Sequence, residues 1–143
     1  MDPIQLEKRL EALEAAQDII NMHNDYLFYL NERRWRDMAD CFTEDAVADI
    51  HEKIQGREKI YEHFANVISK LNTGERQDLH FAVQPVIKAD GDKATGHWLM
   101  YIFVPDEKGN ALRWIPGRYD CEYSKVAGQW KFSVMKYTVP WPH

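Results

Sequence analysis

The first group in this sequence able to do chemistry is a histidine on an alternating apolar run. The run is Asp78–Trp98, DLHFAVQPVIKADGDKATGHW, with His80 near its start. Imidazole ionises near neutrality and is the commonest general base. A histidine on such a run is as often a packed residue with a satisfied hydrogen bond. Its neighbours sharpen the choice. Asp90-Gly91-Asp92 is a short-range hairpin signal between two strand-like segments. Alternation puts His80, Ala82 and Gln84 on one face. Closure at Gly91 brings Trp98, Met100 and Ile102 to the same face, with Ile102 opposite His80. Pro85 adds a bulge able to shift that register. One imidazole on a wall of Trp, Met and Ile suits a small-molecule pocket.

Other chemistries find no support. There is no nucleophile elbow, phosphate loop or dinucleotide fingerprint. His23, Asp25, Asp49, His51, His63 and His97 lack ligand spacing, so no metal site is expected and solvated or structural roles are favoured. The net charge of −5 and pI near 5.6 argue against a nucleic-acid partner, which leaves a basic stripe. No apolar run approaches the roughly 20 residues of a membrane span. The start, MDPIQLEKRLEALEAA, lacks a signal-peptide pattern. Cys41 and Cys121 form no CxxC motif, and a reducing cytoplasm is expected.

The elements that must position His80 follow from periodicity. At 143 residues the chain is expected to be one domain, 1–143, with a sizeable core. Asp2-Pro3-Ile4-Gln5 is a helix start with a capping box. Leu6, Leu10 and Leu13, then Ile20, His23, Leu27 and Leu30, continue an apolar stripe to about Glu32, with a possible break near Ala16. Met22, Tyr26 and Tyr29 sit beside it, a spacing usually found in cores. Trp35–Phe42 reads as a short helix. Thr43-Glu44-Asp45 reads as a turn and Ala46–His51 as a short strand. Arg57–Leu71 is an amphipathic helix carrying Ile60, Phe64, Val67 and Ile68, stopped by Asn72-Thr73-Gly74. Strands are expected over Gln77–Ala89, Lys93–Val104, Ala111–Tyr123 and Gln129–Val139. This is an α+β layout, with N-terminal helices packed in a curved, mainly antiparallel sheet. The strand Lys93–Val104 is apolar on both faces, Leu99, Tyr101 and Phe103 opposing the pocket set. A sheet with one wet face alternates, so a second subunit is expected to cover the outer face.

The order and spacing of YLNERRWRDMADCFTEDAV, GREKIYEHF, HFAVQPVIKADGDKATGHW and GRYDCEYSKVAGQWKFS resemble the SnoaL-like family of the nuclear-transport-factor-2-like superfamily. The resemblance spans nearly the whole chain and implies a cone-shaped α+β barrel. Within the family it is nearest the dehydratase and dehydrochlorinase branch, whose members use no cofactor and are often trimers or dimers. That branch places its catalytic base at the position of His80. It places an orienting aspartate at the position of Asn31, so this chain departs from the pattern. A tyrosine used as acid in the branch falls at Tyr26. Polar catalytic groups elsewhere in the branch fall at Ile50 and Ile102, and an arginine falls near Met135 or Lys136.

Combined, these readings give a cofactor-free lyase or isomerase acting on an aromatic or polycyclic ketone-bearing molecule. His80 would be the base, Tyr26 the acid or oxygen donor, and Asn31 the group that orients the imidazole. Trp98, Met100, Ile102, Tyr119, Met135, Tyr137, Ile50 and Phe64 would line the pocket. The alternative is a non-catalytic binding or assembly subunit of the same fold, favoured by the missing carboxylate at Asn31 and the apolar Ile50 and Ile102.

Overall fold

The computed structural model describes residues 1–70, 77–106, 108 and 110–141, the side chains of 111 and 112 excepted. Helix α1 (Pro3–Asn31) opens with a reciprocal cap. The Gln5 amide donates to Asp2 Oδ1 at 2.9 Å, and the Asp2 amide donates to Gln5 Oε1 at 3.1 Å. The helix runs without a break at Ala16. At 1.5 Å per residue it is about 43 Å long, which exceeds a small domain's diameter. Burial therefore begins only at Ile19, and Leu6, Leu10 and Leu13, expected in the core stripe, are exposed on the projecting half.

A short helix α2 (Trp35–Ala39) leads into strands β1 (Phe42–Asp49) and β2 (Lys53–Gln55), then helix α3 (Arg57–Asn66) and a 3₁₀ turn (Ile68–Lys70). The predicted stop at Asn72-Thr73-Gly74, with Leu71, lies outside the described residues. Four long strands follow: β3 (Leu79–Asp90), β4 (Lys93–Pro105), β5 (Ala111–Val126) and β6 (Gln129–Thr138). The sheet order is β2-β1-β6-β5-β4-β3. All neighbours are antiparallel except β1 and β6, which run parallel. The six-stranded sheet curls around the helices without closing, giving the α+β architecture that the sequence implied.

Two local irregularities in the strands have a common cause. Thr43-Glu44-Asp45, expected as a turn, lies inside β1, where the pairing register with β6 shifts between Phe42 and Val47. Glu44 and Asp45 are exposed across this break in the ladder, and in sequence such residues look like a turn. On β3 the bulge expected at Pro85 is present. The register with β4 shifts between Val83 and Val86, and Gln84 adopts φ 58°. His80 still pairs with Ile102, as the hairpin predicted.

The core centres on His23. Its Nδ1 lies 3.0 Å from the Tyr123 hydroxyl, and the Trp98 indole N–H donates to that same hydroxyl at 3.1 Å. The imidazole is fully buried, 4.3 Å from the Trp98 ring and 5.0 Å from those of Tyr119 and Phe132. Its Nε2 has no partner among the described residues. Charging this ring would strip water from a cation in an aromatic cage, so burial lowers its pKa to about 3.

The unfolded His23 takes up a proton below about pH 6.5, while the folded one does so only near 3. The unfolded state therefore binds more protons between those values, and stability falls as pH falls through that window. His23→Leu should flatten the decline of Tm between pH 6.5 and 4 relative to wild type. Parallel Tm curves in a calorimetric pH series would show that His23 titrates alike in both states.

Candidate functional site

A cavity of about 630 Å³ opens between the concave face of the sheet, the C-terminal end of α1 and helix α3. That volume suits a drug-sized ligand. The α1 stripe ends in Tyr26 and Leu30 at its floor, and α3 contributes Phe64. From β4 come Met100 and Ile102, from β5 Ile115 and Tyr119, and from β6 Met135 and Tyr137. Ile50, just beyond β1, completes the apolar lining. Inward residues recur at every second position on each strand, as the pleat requires.

His80 lines this cavity from β3. Burial lowers its pKa to about 4, so the ring is neutral at physiological pH. Among the described residues the imidazole makes no hydrogen bond. Its backbone, by contrast, is held on both sides by one side chain. The His80 amide donates to Asn31 Oδ1 at 2.8 Å, and Asn31 Nδ2 donates to the His80 carbonyl at 2.8 Å. Asn31 was expected to orient the imidazole. It instead caps the free edge of the sheet, because β3 is the edge strand and His80 turns its peptide groups away from β4. A primary amide sets an N–H donor beside a carbonyl acceptor, and so can replace a strand's peptide group.

At the floor lie the phenols of Tyr26 and Tyr119, which act on each other electrostatically. Both are almost fully buried, which drives both pKa values up and keeps the phenols protonated. They offer a hydroxyl donor to a ligand oxygen, and no readily ionised acid. No cluster of three or more His, Cys, Asp or Glu residues able to hold a metal is present among the described residues.

The SnoaL-like domain profile matches residues 11–136. The chain belongs to the SnoaL-like family. No curated protein matches the sequence. Similar solved structures include a nuclear-transport-factor-2-like protein with a cystatin-like fold from Novosphingobium aromaticivorans, at 16 % identity and TM-score 0.82, covering 97 % of this chain and 90 % of that one. A hexachlorocyclohexane dehydrochlorinase from Novosphingobium barchaimii superposes with TM-score 0.77 at 20 % identity, covering 90 % and 88 %. A protein of unknown function from Mycobacterium tuberculosis gives TM-score 0.78 at 23 % identity, covering 96 % and 76 %. At these identities the likeness carries the fold alone.

One expected lining residue of this SnoaL-like domain lies elsewhere. Trp98 has the right face but the wrong depth. It pairs with Tyr119 toward the closed end of the cone, where His23 and Tyr123 fill the space, and it is 2 % exposed. The cavity begins one inward position later, at Met100.

The polar rim was not anticipated. It includes Arg33, His51, Gln77, Asp78 and Arg113. Arg33 sits just past the end of α1 at φ 58°. Its amide donates to the Leu30 carbonyl at 3.2 Å, and the Arg34 amide donates to that of Tyr29 at 2.8 Å. This pair of bonds is the Schellman end of a helix, where glycine is usual. A side chain in that left-handed conformation costs on the order of 1 kcal/mol. The Arg33 guanidinium is fixed by Gln77 Oε1 at 2.8 Å and the Ser69 carbonyl at 3.3 Å. Gln77 in turn donates to the Asn31 carbonyl. Arg113 reaches the rim from β5, two residues before Ile115 on the same face.

If Asn31 works as a backbone clamp, a carboxylate cannot replace it. Asn31→Asp would lose the donor to the His80 carbonyl and set two acceptors against each other. The expected loss is about 1–3 kcal/mol in chemical unfolding. Unchanged stability together with a raised His80 pKa would restore the imidazole-orienting role.

Proposed function

We propose that this domain is a cofactor-independent lyase or isomerase that removes a proton from a carbon next to a carbonyl. The substrate would be an aromatic or polycyclic ketone-bearing molecule. The observation that carries the reading is one neutral imidazole, His80, on the wall of an otherwise largely apolar cavity with two phenols at its floor. In this mechanism His80 accepts the proton. As the carbonyl oxygen gains charge, the Tyr26–Tyr119 pair donates a hydrogen bond to it. Low dielectric strengthens that bond. Asn31 acts as a positioning residue, holding the backbone from which His80 projects. Ile50, Phe64, Met100, Ile102, Met135 and Tyr137 shape the volume around the substrate.

One observation favours a second reading, a binding subunit without catalysis. Burial keeps the imidazole free to accept a proton but makes it a weaker base, and no side chain among the described residues orients it. Exchange of carbon-bound hydrogen separates the two readings without knowledge of the natural product. The wild type in D₂O should exchange the α-hydrogens of 2-tetralone, followed by proton NMR. His80→Ala should slow exchange at least about a hundredfold. The wild-type rate should hold steady above about pH 5 and fall as pH drops through about 4, where protonation removes the base. Equal exchange by wild type and His80→Ala would exclude His80 as the base.

The same sheet supports a proposed homo-oligomer. Phe81, Val83 and Trp114 are 40 %, 39 % and 51 % exposed on the outer face. Phe81 stacks on Tyr101 at 5.9 Å and meets Trp114 edge-on at 5.7 Å, so the patch is contiguous. Burying such a side chain fully gains about 1.5–3 kcal/mol. A trimer is expected ahead of a dimer, on the strength of the dehydratase resemblance. Tyr101→Glu should leave a folded monomer, because the charge stays in water until subunits meet. A wild-type mass near 17 kDa by light scattering at micromolar concentration would show that this face is not an interface.

A further inference from the structure

We propose that the cavity takes an amphipathic anion, an apolar body whose carboxylate, phosphate or sulfate is held at the mouth by Arg113 and Arg33. The proposal rests on reading the cavity as a small-molecule site and names the ligand's chemical class.

Arg113 carries the first part of the argument. The described arginines Arg34, Arg36 and Arg118 are committed to Asp37, Glu58 and Asp120. Arg57 donates to the Phe42 carbonyl, and Arg33 to Gln77 and Ser69. Arg9 contacts the Met1 sulfur. Alone among the described arginines, Arg113 has a side chain with no hydrogen-bond or ion-pair partner among the described residues. In a chain of net charge −5 an uncommitted guanidinium is conspicuous. Its position adds to this. Arg113 pairs with Val104, and two residues further on Ile115 pairs with Ile102, which pairs with His80. Arg113 is thus one inward row above the row that carries His80, about 7 Å further out along the strand. Its side chain lines the rim.

Arg33 carries the second part, from a different element. The left-handed position it occupies is one that glycine fills without strain, so the backbone gains nothing from arginine there. What arginine adds is a guanidinium on the rim, its Nε and Nη1 fixed by Gln77 and Ser69. Trp35 lies 5.8 Å beneath the charge. Nη2 remains for a ligand, and a planar cation held in one orientation is suited to an oxyanion. Asp78 stands on the same rim with interactions of its own, and His51 is the remaining titratable group there. Below the rim the wall becomes Ile50, Ile68, Ile102 and Ile115. A carboxylate at the mouth therefore directs an apolar body toward His80.

The test uses two probes that differ in charge alone, 2-naphthoate and 2-naphthamide, titrated into the full chain by calorimetry. The wild type should bind naphthoate at least about tenfold more tightly. Arg113→Gln should bring that ratio close to one while leaving the affinity for naphthamide unchanged, and Arg113→Lys should keep most of the preference. Arg33→Gly, which relieves the left-handed strain, should also lower the ratio. Equal wild-type affinities, or a preference that survives in the Arg113→Gln, Arg33→Gly double variant, would overturn the anion site and leave the cavity reading standing. Failure of both probes to bind at millimolar concentration would overturn the cavity reading, and the anion site with it.

Discussion

The site depends on how the end of a long helix is fastened to the open edge of a sheet. An edge strand presents unpaired peptide groups, and an unpaired buried peptide group is costly. Asn31 meets both demands of His80 with one amide. Because those peptide groups point away from β4, His80 and Ile102 form the non-hydrogen-bonded type of antiparallel pair, in which side chains stand closest. The same two bonds fix where α1 stops, and therefore where Arg33 turns. Gln77 ties the two together, accepting from Arg33 and donating to the carbonyl of Asn31. The base candidate, the rim arginine and the helix end are one hydrogen-bonded unit, and displacement of any member moves the others.

Inside that frame, polarity is arranged by depth. His23 lies at the closed end, walled by rings, and burial alone keeps it neutral. The Tyr26–Tyr119 pair comes next, too buried to ionise but still able to donate. His80 stands nearer the mouth, and the charged groups among the described lining residues lie on the rim. This ordering follows from the cost of charge in low dielectric. A cone closed at one end sets a gradient of solvation, and each titratable side chain sits at the depth where its neutral or charged form is tolerable. Tyr123 belongs to the same logic. Its hydroxyl serves both His23 and Trp98, so two ring nitrogens are satisfied at the closed end by a single group that never needs to ionise.

Much of this frame was legible in the sequence, for reasons of periodicity. The capping box at Asp2, the hairpin at Gly91 and the alternation of β3 and β4 are local signals, and the latter two place His80 opposite Ile102. Alternation gives the face of a residue but not its depth. Trp98 was therefore grouped with Met100 and Ile102, although the cone narrows between them and Trp98 belongs to the core. The role of Asn31 was beyond reach for another reason. Its partner is 49 residues away and is a peptide group, so no side-chain pattern announces it. Comparison with a family aspartate suggested contact with the imidazole, and the amide contacts the backbone of the same residue. Arg113 did carry a signal, since it shares parity with Ile115 and Tyr119. Arg33 carried none, because Asn-Glu-Arg-Arg-Trp reads as an ordinary polar helix end.

The strands that build the cavity also carry the apolar outer patch, and this couples the two faces. On β4, Met100 and Ile102 point inward while Leu99, Tyr101 and Phe103 point outward. A one-residue slip of β4 against β3 and β5 would exchange those sets. Such a slip changes little in hydrophobic burial, because both sets are apolar, so the alternation of the strand does not itself specify the register. Specification must come from groups that distinguish the faces. Gly96 is one, since a Cβ there would stand 2.6 Å from Ile87 Cδ1 and 2.9 Å from the Tyr123 ring. Gly117 is another, with the Tyr137 ring lying across it. The Asn31 clamp is the third, and it acts on the edge strand itself. A two-faced apolar hairpin, suited both to a pocket and to a subunit contact, thus requires polar and glycine devices at its margins to hold one arrangement.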